Sequence, residues 1–118
     1  RAVRGVDTII HLGARASFES YRKVKPTIVD GSLALFQAGL ESGVERFVHA
    51  SSLLVYASQK ELIDAATPAV PRLDYGRAKL DAETALARLA RESGAHFAAI
   101  RLPHVYGARD LLFDILTF

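Results

Sequence analysis

Apolar residues along the chain alternate between two spacings. Asp7-Thr-Ile-Ile-His-Leu12 is a short run with β-branched residues closed by Gly13-Ala14. It reads as a buried parallel strand ending in a small-residue turn. Ile28, Val29, Leu33, Leu35, Phe36 and Leu40 follow at mostly helical spacing. Pro26 is tolerated at the start of that helix, and Gly43 supplies its C-terminal stop. Val44-Glu-Arg-Phe-Val-His-Ala50 predicts a second strand running into Ser51-Ser52. A second helix is expected from Asp74 or Tyr75 to about Glu92, with Leu80, Leu86 and Leu89 in the core and Gly94 at its end. His96-Phe-Ala-Ala-Ile-Arg-Leu102 predicts a third strand, stopped by Pro103. Arg15 to Lys25 reads as loop or short helix, and Ala57 to Leu73, with Pro68 and Pro71, as irregular loop. Gly107 marks another turn, and Asp110 to Phe118 begin a last helix.

Strand, helix, strand, helix, strand, with helices long enough to be crossovers, argues for right-handed βαβ units and an α/β fold with a parallel sheet. Ligands of open α/β sheets lie at the carboxyl ends of the strands. Gly13-Ala14, Ser51-Ser52, Pro103-His104 and the Tyr75 end of the second helix all fall there.

At 118 residues the chain is one domain at most. Half the residues are hydrophobic and 24% charged, an ordinary globular balance that argues against disorder. A net charge of +2 with no basic block gives nucleic-acid binding little support. The absence of cysteine excludes disulfides and fits a reducing compartment, so a cytoplasmic location is expected. No apolar run reaches the roughly 18 residues that span a bilayer, so no membrane partner is expected. With no methionine, a start at Arg1-Ala-Val-Arg-Gly5 and a stop at Leu116-Thr-Phe118, the chain reads as an internal piece of a longer protein.

The candidate chemistry is in Tyr75-Gly-Arg-Ala-Lys79. Residues four apart share a helix face, so Lys79 lies one turn from Tyr75. A nearby cation favours the phenolate and is expected to lower the tyrosine pKa, allowing acid/base work near neutrality. Ser52, at a strand end, offers a hydroxyl to orient a substrate oxygen.

Five motifs in order resemble the extended short-chain dehydrogenase/reductase family of NAD-dependent epimerases and dehydratases. They are His11-Leu-Gly-Ala14, Val29-Asp-Gly-Ser32, Arg46 to Ser52 with Val55-Tyr56, Tyr75 to Lys79 with Glu83, and Arg101 with Val105-Tyr-Gly107. The resemblance implies a partial Rossmann-type sheet, the second half of an NAD(P)-binding domain, with the glycine-rich part and the C-terminal substrate part absent. It implies Ser52, Tyr75 and Lys79 as the catalytic set, with Tyr75 as proton donor and acceptor and Lys79 on the nicotinamide ribose. Leu12, Gly13, Ala14, Ser51, Tyr75, Lys79 and Pro103 would line NAD or NADP, and Ser52 and His104 would touch a small-molecule substrate. A homodimer paired through helices Pro26–Ser42 and Tyr75–Glu92 is implied as well. The chain departs from the family's pattern at four positions. Ile28 stands where asparagine is usual, Ala57 replaces a glycine and Ala108 a proline. His104 replaces an asparagine of many nucleotide-sugar enzymes.

The implied activity is hydride transfer to or from a sugar, possibly nucleotide-linked, or another secondary alcohol or carbonyl. Alternatives are a family member that binds NAD(P) as a regulatory or scaffold subunit without turnover, and an unrelated α/β domain. His11 and His49 on adjacent strands lack a third ligand at a recognisable spacing, so no metal is expected. Asp81 and Glu83 with Arg77 and Arg88 read as a solvated, salt-bridged helix face.

Overall fold

The computed structural model describes residues 3–58 and 61–105. Three strands form one parallel sheet in the order β1-β2-β3: β1 (Thr8–His11), β2 (Arg46–Ser52) and β3 (His96–Leu102). Registers run from Thr8 opposite Arg46 to His11 opposite His49, and from Arg46 opposite His96 to Ser52 opposite Leu102. The expected α/β architecture is present. The turn at Gly107 and the helix from Asp110 lie outside the described residues.

Ser51 and Ser52 are the last two residues of β2 rather than its sequel. The strand persists to them because Leu102 of β3 continues the ladder opposite Ser52. Leu12, by contrast, falls just beyond β1.

The first crossover begins earlier than expected. Helix α1 (Tyr21–Lys25) leads into a π-helical turn (Pro26–Asp30) and then α2 (Gly31–Glu41). Pro26 therefore sits within a helical run rather than at its start. Proline lacks an N–H and its ring crowds the carbonyl four residues back, so an α ladder cannot pass through it unchanged. The helix widens directly after it: the Gly31 N–H bonds to the Pro26 carbonyl, five residues away. The start of α1 is fixed from outside, since the Tyr21 N–H donates to Asp74 Oδ2 at 2.9 Å.

Helix α3 (Asp74–Ser93) ends as expected at Gly94, whose φ of 77° is the left-handed cap that glycine adopts without strain. Its inner stripe is Ala78, Ala82, Leu86 and Ala90, all buried and spaced by four. Leu80, expected in the core, is half-buried and belongs to neither core cluster; Leu89 packs at the margin of one. Small side chains bring the helix close to its neighbours.

Two clusters follow from this packing. Val24, Ile28 and Val29 meet Ala78 and Ala82 beneath Tyr75. Phe36, Val44 and Phe47 meet Leu86 and Ala90 toward the other end of α3. The Phe36 and Phe47 rings stack with centroids 3.7 Å apart and planes 15° from parallel. Phe47→Ala should remove this stack and leave a cavity. We expect about 3–5 kcal/mol of lost stability in urea unfolding, whereas a loss below about 1 kcal/mol would show that the site closes over.

Candidate active site

Three strand ends and one helix end enclose a cleft of about 750 Å³. Leu12 and Ala14 enter it after β1, Ser51 and Ser52 from the end of β2, and Pro103 and His104 after β3. Tyr75 and Lys79 line it from the first turns of α3. Every sequence-predicted site residue except Gly13 therefore lies on its wall. Phe18, Leu53 and Leu54 also line it. The Phe18 ring stands edge-on to Tyr75, with centroids 6.4 Å apart.

Ser52 also starts a single 3₁₀ turn (Leu53–Val55), accepting the Leu54 N–H on its Oγ at 3.2 Å. That bond uses a lone pair and leaves the hydroxyl proton to donate. Ser51 is buried, and its Oγ has no partner among the described residues.

The approach of α3 to this turn requires Gly76. A Cβ there would overlap the Leu54 carbonyl oxygen and sit 2.8 Å from its carbon. Since the obstacle is backbone, no rotamer change relieves it. Gly76 is a residue whose role no spacing in the sequence reveals, because its constraint is set by a chain segment twenty-two positions earlier.

Lys79 is only 2% exposed and donates from Nζ to the Ala50 carbonyl at 2.7 Å. Burial lowers its pKa, and the Glu83 carboxylate works against that shift. Nζ lies 5.9 Å from the Tyr75 ring centroid. The expected lowering of the Tyr75 pKa is not found: burial of the phenol raises it. At neutral pH Tyr75 is thus a protonated donor.

The rings of His11 and His49 are 5.5 Å apart. His11 Nε2 lies 3.0 Å from Ser32 Oγ, which itself donates to the Ile28 carbonyl at 2.6 Å. With the hydroxyl proton so used, His11 Nε2 is the donor of that pair. His49 is 2% exposed, and neither ring nitrogen has a hydrogen-bond partner among the described residues. Burial first, then Lys79, pushes its pKa down to about 4. No group of three or more His, Asp or Glu suited to a metal occurs among the described residues.

Of the expected solvated face of α3, Arg88 is exposed and pairs with Glu92, whereas Asp81 and Glu83 are structural. Asp81 accepts the Tyr21 hydroxyl at 2.6 Å, which holds that phenol up at about 12, and Arg77 lies 4.8 Å over the Tyr21 ring. Glu83 is buried and paired with Arg101 of β3.

Residues 1–114 match the model of the NAD dependent epimerase/dehydratase family. The chain belongs to this family. It is 32% identical over 81 residues to a uronate dehydrogenase of Pseudomonas syringae pv. tomato, covering 67% of this chain and 30% of that protein. A short-chain dehydrogenase/reductase superfamily protein from Agrobacterium tumefaciens, solved with bound NAD, superposes with a TM-score of 0.82 at 34% identity, over 94% of this chain and 35% of that one. The dTDP-glucose 4,6-dehydratase DesIV of Streptomyces venezuelae, solved as a double mutant with NAD, superposes at 0.85 and 27% identity, over 98% and 39% of the two chains. The chain thus spans about a third of the length of the relatives it matches, and it shares their Rossmann-like fold.

Two outcomes follow from the geometry. Gly76→Ala should push α3 off the 3₁₀ turn, costing about 1–3 kcal/mol in thermal or urea unfolding; an unchanged melting temperature would show that the turn yields freely. The second concerns pH. In the unfolded chain His49 takes up a proton below about 6.5, whereas in the fold it stays neutral down to about 4. The unfolded state therefore binds more protons between these values, and stability falls as pH drops through the window. The loss should be on the order of 3 kcal/mol, with His11, also shifted down by burial, adding in the same sense. His49→Leu should flatten the acid limb of an unfolding-versus-pH curve.

Proposed function

We propose that the chain carries the catalytic centre of an NAD(P)-dependent enzyme that oxidises or reduces a secondary alcohol or carbonyl of a sugar, free or nucleotide-linked. Tyr75 acts as acid/base in this reading. The observation that carries it is the meeting of Ser52, Tyr75 and Lys79 on one cleft wall, although they come from two separate elements. An uronate dehydrogenase and a dTDP-glucose dehydratase among the relatives support the substrate class. In the same reading the chain is the later part of a nucleotide-binding domain.

The cleft suits a dinucleotide on the chain's own terms. Ala14 and its neighbour Gly13 admit a close backbone approach at the end of β1. The unpartnered Ser51 Oγ and the remaining Lys79 protons supply donors beside it. Bound nicotinamide supplies the hydride acceptor or donor. Lys79 directs its ammonium to a ribose hydroxyl while the Ala50 carbonyl fixes its position. Ser52 donates its proton to the substrate oxygen and so orients it. Tyr75, kept protonated by burial, delivers a proton to that oxygen during reduction, and the phenolate left behind is the base that takes the proton back in the reverse oxidation.

An NADH fluorescence titration of the full-length protein tests this first. Saturable binding is expected, weakened about tenfold or more by Lys79→Ala, since a charged hydrogen bond is worth about 1.5–3 kcal/mol. Tyr75→Phe should keep NADH affinity and lower kcat by about 10²–10⁴. A folded protein that binds no NADH would overturn the assignment, and saturable binding without turnover on any sugar or alcohol would favour a regulatory or scaffold role.

A further inference from the structure

Glu83, Arg101 and Tyr56 have no part in the reaction just described, yet they join the three elements that surround it. Arg101 reaches from β3 to α3 with Nε 3.2 Å from both Glu83 carboxylate oxygens and Nη2 2.7 Å from Oε2. Its Nη1 donates to the Tyr56 hydroxyl at 2.5 Å, and its guanidinium lies 4.9 Å over the Tyr56 ring. Arg101 stands two residues before Pro103, Tyr56 directly follows the 3₁₀ turn that Ser52 begins, and Glu83 is one helical turn beyond Lys79. The Glu83 side chain is 9% exposed. Such a planar, bidentate pair fixes orientation as well as distance.

The same carboxylate faces a charge problem. Lys79 is buried among ionisable neighbours: Tyr75 and Glu83 on its own helix, His11 on β1 and His49 on β2. Glu83 is the one acidic residue in that group. An ammonium removed from water needs such a counter-charge to stay protonated.

We propose that Glu83, held by Arg101 and Tyr56, is a positioning residue: it sets α3 against the ends of β2 and β3 and keeps Lys79 a cation at the cofactor. This rests on the NAD(P) reading above. Without the carboxylate, the buried lysine gives up its proton at lower pH, so whatever depends on its charge is lost earlier as pH rises. Arg101 does not act on the reacting atoms; it holds the residue that does this for Lys79.

The test uses the full-length protein, with NADH affinity measured from neutral to alkaline pH by fluorescence. Glu83→Gln keeps the shape and part of the bonding to Arg101. Its alkaline loss of NADH binding is expected to move down by about one pH unit, a tenfold change in proton affinity. Glu83→Asp should retain the wild-type limb. A purely structural role would change the melting temperature of Glu83→Gln and leave the limb in place, and that outcome overturns the proposal. Where Glu83→Gln does not fold, Arg101→Lys decides instead. It leaves a cation beside Glu83 but removes the planar fork that aims the carboxylate, so the alkaline loss of NADH binding should again move to lower pH; a limb that stays at the wild-type pH overturns the proposal. Failure of the wild-type protein to bind NADH at any pH would sink the cofactor reading itself, a result distinct from all of these.

Discussion

A buried ammonium held on a strand carbonyl organises this fold at its functional end. The bond from Lys79 to Ala50 crosses from α3 to the central strand, in a place too dry to tolerate a loose cation. It fixes how far along β2 the helix can sit and therefore where Tyr75 stands relative to Ser52. The alanine stripe below and Gly76 above are the steric conditions for that bond. Larger residues at either place would hold the helix away from the carbonyl.

The same closeness explains the chemistry of the neighbours. Packing that dries the lysine also dries Tyr75, His49 and Ser51, so each is shifted or has no hydrogen-bond partner among the described residues. Glu83 offsets this locally, and Arg101 neutralises the carboxylate in turn. The outcome is an ordered string of charges from the edge strand to the cleft, each sign balanced by the next. Breaking one member exposes the others to the full cost of burial.

Much of this was legible in the sequence, and the remainder was hidden for definable reasons. The three strands show as short apolar runs, as parallel strands between crossover helices do, although the described fold buries no residue of β1 and leaves Ile10 and Ile100 exposed. The candidate residues that line the cleft stand out because turn-forming and reactive residue types recur at strand ends. Spacing could not show that α1 starts at Tyr21, since the group that receives its first N–H, Asp74, lies fifty-three residues on. Glu83 of α3 reads as a surface residue for the same reason: its partner Arg101 is on β3, eighteen residues on. The Tyr75 pKa went the other way because a neighbouring charge is visible in sequence, whereas the desolvation that outweighs it is a property of the assembled core.

The π turn bears on how α1 and α2 are read. Val24, Ile28, Ser32 and Phe36 are all buried and spaced by a strict four. In an unbroken α-helix each step of four overshoots a full turn by about 40°, so such a stripe winds slowly around the helix, as the buried stripe of α3 does. The turn at Pro26–Asp30 takes more residues per revolution and cancels part of that drift. The turn that follows the proline therefore reduces the winding of this stripe relative to that of α3. A one-residue deletion within that turn would rotate everything before it by about 100° and aim Val24 and Tyr21 at different neighbours.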